Sequence, residues 1–292
     1  MATKRLSKKK KIIVFIGVLA LLIVGGIGFM INKMSSMGAD SVLTELDEAA
    51  IPYSFGKVGF EKDSVHYLRS GNESGDKLLL IHGSPGDWSA WVNVIKSEAI
   101  RSKFDIVAID RVGYGGTTHP ASGSLEIQAN AAIAVAGELW NENEYIVVGH
   151  SYGGAVSESV AIHDSSHVKG LLIVAGTISP SHQAPRWYNK FADWTMVNAV
   201  LPEDFRSSNI EMMQLPIELE LNEKTIPHLN QKKIIIHGRK DMLVPIESID
   251  YAKEHFTNTS FAINDTLNRF IPWSKPELII DAIGVLNKRS IY

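Results

Sequence analysis

The amino-acid sequence predicts an α/β fold in which a mostly parallel, doubly wound sheet carries a short helical lid. Short apolar runs rich in β-branched residues recur along the chain, as in strands buried on both faces of a parallel sheet. Segments with helical periodicity separate these runs, and such alternation is typical of doubly wound sheets. The stretch from about 178 to 230 breaks the alternation with prolines, aromatic residues and helix-like pieces. We expect it to form the lid, because structureless loops of that length are uncommon; a long surface excursion is the alternative.

The individual elements follow from short patterns along the chain. The predicted strands are SVHYLRSG (64–71), KLLLIHG (77–83), FDIVAID (104–110), EYIVVGH (144–150), GLLIVAG (170–176), KKIIIHG (232–238) and SFAIN (260–264). The predicted helices are residues 124–140 with Ser124 as N-cap, residues 154–163, and a last helix that begins near Pro276 with Ser274 as its cap. Together these elements place the globular domain at residues 51–292.

The N-terminus predicts a membrane anchor. Six basic residues within 1–11 precede residues 12–31, which are uncharged throughout. Twenty such residues rise about 30 Å as a helix, the thickness of the hydrocarbon core of a bilayer. The charge asymmetry places a basic tail, 1–11, in the cytoplasm and the globular domain on the extracytoplasmic side. Residues 32–50 then form a linker. A cleaved signal peptide is the alternative, with a weak cleavage site at Ser36-x-Gly38.

Composition excludes several classes of protein. The net charge of −3 gives no indication of nucleic-acid binding. The chain has no cysteine, which excludes disulfides, thiol catalysis and thiolate metal sites. No group of His, Asp and Glu residues has the spacing of metal ligands, so we expect neither a metal nor a cofactor. The expected partners are the membrane, through the N-terminal helix, and a small-molecule substrate or ligand.

A glycine-flanked serine is the strongest candidate for a chemical role. Residues 149–153 read Gly-His-Ser-Tyr-Gly and fit the pattern G-x-S-x-G. An apolar strand precedes them and a small-residue helix follows, so the turn should lift the Ser151 hydroxyl to the carboxyl edge of the sheet as a nucleophile. The backbone N–H of Tyr152 would then serve as one oxyanion donor. The Ser84 N–H, in the loop after an earlier strand, is the expected second donor.

Four motifs together resemble those of serine-dependent α/β-hydrolases in order and spacing. They are HGSPGDW (82–88), DRVGYGGT (110–117), GHSYGG (149–154) and HGRKDMLVP (237–245). The resemblance implies the α/β-hydrolase fold, with its lid between the sixth and seventh main strands, and assigns the acid of a catalytic triad to Asp241. Because the nucleophile is Ser151 rather than an aspartate, the chain resembles the esterase, peptidase and C–C hydrolase side of that superfamily. It does not resemble the haloalkane dehalogenase and epoxide hydrolase branches.

The resemblance also exposes a departure in the loop after the last strand. Related sequences carry the triad histidine before Phe-Ile-Pro-Trp, and this chain has Arg269 there. A guanidinium stays protonated at physiological pH and cannot accept the serine proton. We expect Arg269 to pair with Asp241 and to leave Ser151 unactivated. Two hypotheses follow: an ester- or amide-type hydrolase by ancestry that is impaired as written, or a non-catalytic ligand-binding or scaffold protein.

Another histidine could in principle replace the missing base. His182, at the entrance to the lid, is the best candidate because its loop should overhang the site. We expect His82 and His150 to support the backbone turns beside them, and His237 to pack at the end of its strand.

Overall fold

The computed structural model describes Ser7 and residues 38–288, and the described chain contains one eight-stranded sheet. Its strands are β1 (Tyr53–Phe60), β2 (Asp63–Gly71), β3 (Asp76–Ile81), β4 (Phe104–Ile109), β5 (Tyr145–His150), β6 (Val168–Val174), β7 (Lys232–Gly238) and β8 (Thr259–Asn264). They lie in the order β1-β2-β4-β3-β5-β6-β7-β8. Strands β3 to β8 are parallel, whereas β2 pairs antiparallel with both β1 and β4. The predicted mostly parallel sheet is therefore confirmed.

Helices cover both faces of the sheet. They are α1 (38–48), α2 (Val92–Ile95), α3 (Glu98–Arg101), α4 (Leu125–Trp140), α5 (Tyr152–His163), α6 (Trp187–Ala192), α7 (Thr195–Asn198), α8 (Glu203–Glu223), α9 (Glu247–His255), α10 (Ile271–Ser274) and α11 (Pro276–Leu286). One apolar core joins the sheet to α4, α5, α8 and α9, and a second joins it to α1, α2 and α11. The central strands β4 and β5 are buried along their whole length, as expected for a doubly wound sheet.

The lid occupies the chain between β6 and β7, where the sequence predicts it. It consists of α6, α7 and the longer α8, joined by short connections. Leu215 and Leu219 of α8 are buried in the core formed with α4 and α5. The segment is therefore a packed helical insertion and not a surface excursion.

Part of the segment predicted as a linker packs against the domain. Residues 38–48 form helix α1, and its Val42 and Leu46 are buried against the second core. The Lys96 ammonium group also lies 2.9 Å from the Glu45 carboxylate. Helix α1 thus packs the segment before β1 against the second core.

The predicted tail and anchor, 1–11 and 12–31, lie outside the described residues apart from Ser7. Within the described part of the chain, no helix has the length and apolar character needed to cross a membrane.

Two local predictions differ from the structure. Strand β1 was not predicted, because it is an edge strand with side chains exposed along much of its length and two glycines, Gly56 and Gly59. The predicted cap of the last helix, Ser274, is wrong: Lys275 occupies the N-cap, and the Ser274 hydroxyl donates to the Phe270 carbonyl 2.9 Å away. Ser124 does cap α4, as predicted, by accepting a hydrogen bond from the Ile127 amide.

Candidate active site

Ser151 lies in a strained turn between β5 and α5. Its φ of 54° and ψ of −120° fall in a region that L-residues rarely adopt. Hydrogen bonds on both sides hold this backbone: the Ser151 amide donates to the Val174 carbonyl at 2.9 Å, and the Ser151 carbonyl accepts from the Thr177 amide at 3.1 Å. Neighbouring strand β6 and its following loop therefore fix the serine at the carboxyl edge of the sheet.

The glycines that flank the serine are required by close backbone approach. A Cβ on Gly149 would lie 2.0 Å from the Gly153 carbonyl oxygen. A Cβ on Gly153 would lie 2.4 Å from the carbonyl oxygens of Ile81 and His82. Neither overlap can be relieved by rotating a side chain, because the opposing atoms are backbone. The G-x-S-x-G pattern thus serves the packing of α5 against the end of β3.

The two predicted oxyanion donors are Tyr152, which follows the serine, and Ser84, which lies in the loop after β3. Tyr152 is the first residue of α5, so its amide has no carbonyl four residues earlier within the helix. Ser84 follows β3 and lines the same cavity as Ser151. The Ser84 hydroxyl lies 3.0 Å from the Tyr114 hydroxyl and donates to the Ser208 hydroxyl at 2.9 Å, which ties this loop to the lid.

Arg269 contacts the serine directly. Its Nη2 donates a hydrogen bond to the Ser151 Oγ. The backbone beside it is held by His150, whose Nε2 lies 2.9 Å from the Arg269 carbonyl oxygen. Burial lowers the pKa of the Arg269 guanidinium from its ordinary value, and the charge of Asp241 opposes that shift. The guanidinium remains a cation and a donor, so it cannot take a proton from Ser151.

Asp241 lies near Arg269 but does not pair with it. In the described residues, no nitrogen of Arg269 lies within 4.0 Å of this carboxylate, so the expected ion pair is not formed. Asp241 Oδ1 instead accepts from the amides of Leu243 at 2.8 Å and Val244 at 2.9 Å. Its Oδ2 is buried and has no hydrogen-bond partner among the described residues. Arg269 thus donates to the serine hydroxyl and not to the carboxylate.

The histidines near the site are committed to other partners. His82 accepts from the Arg111 amide through Nε2 at 3.0 Å, so its Nδ1 carries the proton that is donated to the Gly83 carbonyl. Burial lowers the pKa of His150 to about 4, which keeps its ring neutral. His237 is buried, with its Nε2 3.2 Å from the Val244 carbonyl oxygen. These three side chains support the loops that surround the serine.

His182 is exposed and lines the cavity together with Ser151. Its Nδ1 lies 2.8 Å from the Ser179 hydroxyl. Among the described residues, the Ser151 hydroxyl has Arg269 as its only side-chain hydrogen-bond partner, so His182 is not placed as a base.

A buried ion pair joins the lid to the floor of the site, and the sequence patterns did not reveal it. Arg111, from the loop after β4, pairs with Glu211 of α8, and both side chains are almost wholly excluded from solvent. Glu211 also accepts hydrogen bonds from the Tyr114 hydroxyl at 2.8 Å and from the side-chain Nε2 of Gln128 at 3.0 Å. Arg111 donates to the His82 carbonyl at 2.9 Å, and thereby connects the lid helix to the loop that carries Ser84. The available signal was that Glu211 lies four and eight residues before Leu215 and Leu219, on the same buried face of α8.

A small cavity of about 110 Å³ opens above Ser151. Its wall includes Ser84, His182, Arg186 and Arg269. Ligand sites for drug-sized molecules are usually about 300–1,000 Å³, so this space suits a small group. Among the described residues, no cluster of three His, Cys, Asp or Glu side chains is arranged to hold a metal ion.

Comparison with known proteins agrees with this architecture. Residues 77–199 match a family model described as alpha/beta hydrolase fold. The chain is 28% identical over 148 residues to a probable 1-acylglycerol-3-phosphate O-acyltransferase of Oryza sativa subsp. japonica. The aligned region covers 47% of this chain and 35% of that protein. It spans about a third of that relative. A second relative, the 2-hydroxymuconate semialdehyde hydrolase of Pseudomonas sp. (strain CF600), is 26% identical over 210 residues, 60% of this chain and 74% of the enzyme.

Shorter matches include a haloalkane dehalogenase over 44% and an epoxide hydrolase over 39% of this chain. Overall sequence similarity therefore does not distinguish the esterase, peptidase and C–C hydrolase side from the haloalkane dehalogenase and epoxide hydrolase branches. The prediction of the former depends on the serine at position 151. Among solved structures, a bacterial membrane phospholipase A superposes with a TM-score of 0.64 at 18% identity, over 93% of this chain and 97% of that one. The sheet order, the strained serine turn and these matches agree: the chain is an α/β-hydrolase-fold protein with hydrolases among its sequence relatives.

Proposed function

We propose that the chain is a membrane-anchored protein of ester- or amide-hydrolase ancestry whose turnover is impaired. In this proposal Ser151 is the nucleophile and Asp241 the acid of the ancestral triad. The amides of Ser84 and Tyr152 form the oxyanion hole, and Arg269 stands where the histidine base belongs.

The contact between Arg269 and Ser151 carries the proposal. Acyl transfer from a serine needs an acceptor for the hydroxyl proton, within hydrogen-bond reach and with a pKa near the working pH. The side chain within reach of Ser151 Oγ is a guanidinium donor. Asp241 keeps an unpaired buried oxygen, Oδ2, where an imidazole N–H would find an acceptor. These features support a triad that lacks only its middle member.

The expected loss of rate is large. In subtilisin, removal of the catalytic histidine lowers kcat about 2 × 10⁶-fold. An oxyanion hole and substrate binding alone still leave about 10³–10⁴-fold acceleration over water. The unchanged chain should therefore hydrolyse activated esters slowly, near the background rate of the assay.

The test compares the full chain in detergent with its Arg269→His variant. We expect the variant to hydrolyse p-nitrophenyl butyrate at least about 10³-fold faster and to label at Ser151 with a fluorophosphonate. Arg239→His is the matched control, because Arg239 is exposed and pairs with Asp265 away from the cavity. Ester turnover by the unchanged chain that matches an active Arg269→His variant would refute the proposed impairment.

A second candidate function is ligand binding without turnover. It is favoured by the small cavity that remains above Ser151 and by the cation that projects into it. Under this hypothesis Arg269→His stays inactive although it folds and retains the cavity.

Membrane anchoring through residues 12–31 is part of the proposal and rests on their uncharged, apolar sequence beside a basic tail. We expect the full chain to stay in the membrane pellet after an alkaline carbonate wash and to be released by detergent. A protease outside intact cells should digest the globular domain. Release by carbonate, or protection from the protease, would contradict the anchor or its orientation.

A further inference from the structure

The cavity above Ser151 holds two guanidinium groups and no carboxylate. Arg186 and Arg269 both line it, and no aspartate or glutamate is among its described lining residues. Arg186 donates to the carbonyl oxygens of Met242 at 3.1 Å and Leu243 at 3.2 Å. Arg269 donates to a neutral hydroxyl. In the chain from 38 to 288, neither arginine has a carboxylate within ion-pair distance, whereas Arg69, Arg101, Arg111 and Arg239 each have at least one.

Arg269 is half-buried and has only the longer-range charge of Asp241 to balance it, whereas Arg186 is exposed to solvent. Removing a charge from water without a counter-charge costs free energy that paired groups recover. The two guanidinium groups also repel each other, and this repulsion lowers the pKa of Arg269 further. An anion between them would offset both effects.

The surroundings favour a carboxylate over other anions. A guanidinium presents a planar pair of N–H groups that matches the two oxygens of a carboxylate. Helix α5, twelve residues long, begins at Tyr152 beside the serine, and its N-terminal amides attract negative charge. Met212, Leu243 and Val244 provide apolar wall on the same cavity. A group with one anionic end and one short hydrocarbon end fits this distribution of charge and apolar surface.

We propose that the cavity is a binding site for a short-chain carboxylate, held by Arg269 and the elbow at Ser151 with its hydrocarbon end against Met212 and Val244. The cavity volume of about 110 Å³ is enough for a ligand the size of several water molecules, which limits the hydrocarbon chain of the carboxylate to a few carbons. The inference rests on the proposed function, because it requires a pocket of hydrolase ancestry that is retained without turnover. The ligand class is then the acid that ester hydrolysis releases.

The test measures binding to the full chain in detergent at constant ionic strength, by calorimetry or by NMR of labelled ligand. The probes are sodium butyrate, its neutral analogue butyramide, and inorganic phosphate. We expect saturable binding of butyrate, at least tenfold weaker binding of butyramide, and weaker binding of phosphate. Arg269→Gln should weaken butyrate binding about ten- to a hundredfold, the range for one hydrogen bond to a charged group.

Two further variants separate loss of the site from loss of the fold. Arg269→Lys keeps the charge but loses the planar pair of N–H groups, so it should bind butyrate more weakly than the unchanged chain and more tightly than Arg269→Gln. Arg239→Gln removes an exposed, paired arginine outside the cavity and should leave binding unchanged. A melting curve shows whether Arg269→Gln is folded. If it is not, Arg186→Gln replaces it in the comparison and should bind butyrate more weakly than the unchanged chain does.

Equal binding of butyrate and butyramide, no saturation by butyrate, or unchanged affinity in a folded Arg269→Gln overturns the proposal. Phosphate that binds as tightly as butyrate overturns the carboxylate assignment. These readouts contain no ester, so a failure here is distinct from a failure of the impaired-hydrolase proposal, which is judged by ester turnover alone.

Discussion

Glu211→Gln removes the charge that faces Arg111 at the join between the lid and the loop after β4. The side chain keeps its shape, and one oxygen can still accept from the Tyr114 hydroxyl, which lies 2.8 Å from Glu211 in the unchanged chain. The buried guanidinium loses its counter-ion, however, since the Arg111 and Glu211 side chains are 0% and 1% exposed. Breaking a buried pair at one partner costs about 3–5 kcal/mol.

That loss should be visible in both chemical and thermal unfolding of the full chain in detergent. A cost of 3–5 kcal/mol corresponds to a fall in Tm of roughly 6–20 °C for a domain of this size. Glu220→Gln is the matched control: Glu220 is exposed on the same helix, and its replacement should change stability by less than about 0.5 kcal/mol. The double variant Arg111→Met/Glu211→Leu should recover most of the loss, because it leaves no unpaired charge.

The reasoning fails if Glu211→Gln lies within about 1 kcal/mol of the unchanged chain, a difference too small for an uncompensated buried charge. It also fails if the double variant is less stable than Glu211→Gln. Either result would mean that the guanidinium finds solvent or another acceptor when its carboxylate is removed.

Three further outcomes are expected. Gly153→Ala should destabilise the fold by at least about 2 kcal/mol, because the added methyl would lie 2.4 Å from backbone oxygens. Gly137→Ala, where the added methyl meets open space, should be neutral or stabilising by up to about 1 kcal/mol. Equal melting curves for the two variants would contradict this. Burial raises the pKa of Glu158 from 4.5 to about 8, so the folded state keeps a proton that the unfolded state releases, and stability should fall by a few kcal/mol as the pH rises from about 5 to 7.5. Urea midpoints at both pH values should show a smaller fall for Glu158→Gln, and identical pH dependence would count against the buried carboxyl as its source. In the Arg269→His background, Asp241→Asn should lower ester turnover about 10³-fold, with no effect on the unchanged chain; unaltered turnover would remove Asp241 from the triad.

Several features of the site were predictable from sequence because they are local or follow from sheet geometry. The strand before Ser151 and the helix after it are encoded in adjacent residues. Gly149 and Gly153 indicated that the backbone of α5 lies close to the ends of the neighbouring strands. The carboxyl ends of parallel strands meet at one edge of a sheet. Motifs that follow β3, β5 and β7 were therefore expected to lie together, although more than 150 residues separate Ser84 from Asp241. The sequence also shows directly that position 269 is an arginine and not a histidine.

Side-chain pairing was decided by the tertiary structure. The sequence suggested that Arg269 would pair with Asp241, but the guanidinium donates to Ser151 while the carboxylate accepts two backbone amides. The Arg269 backbone is held by His150, and its long side chain extends from that fixed point to the serine. The buried pair of Arg111 and Glu211 likewise joins residues 100 positions apart.

Sequence by itself thus determined the α/β class and the serine turn, because backbone conformation and strand order follow from patterns of neighbouring residues. Only the tertiary structure decided which atoms the charged side chains meet. A guanidinium reaches several alternative acceptors from one backbone position, and the choice among them depends on packing from distant parts of the chain. For Arg269 that choice is the Ser151 hydroxyl, and the proposed loss of turnover depends on this contact.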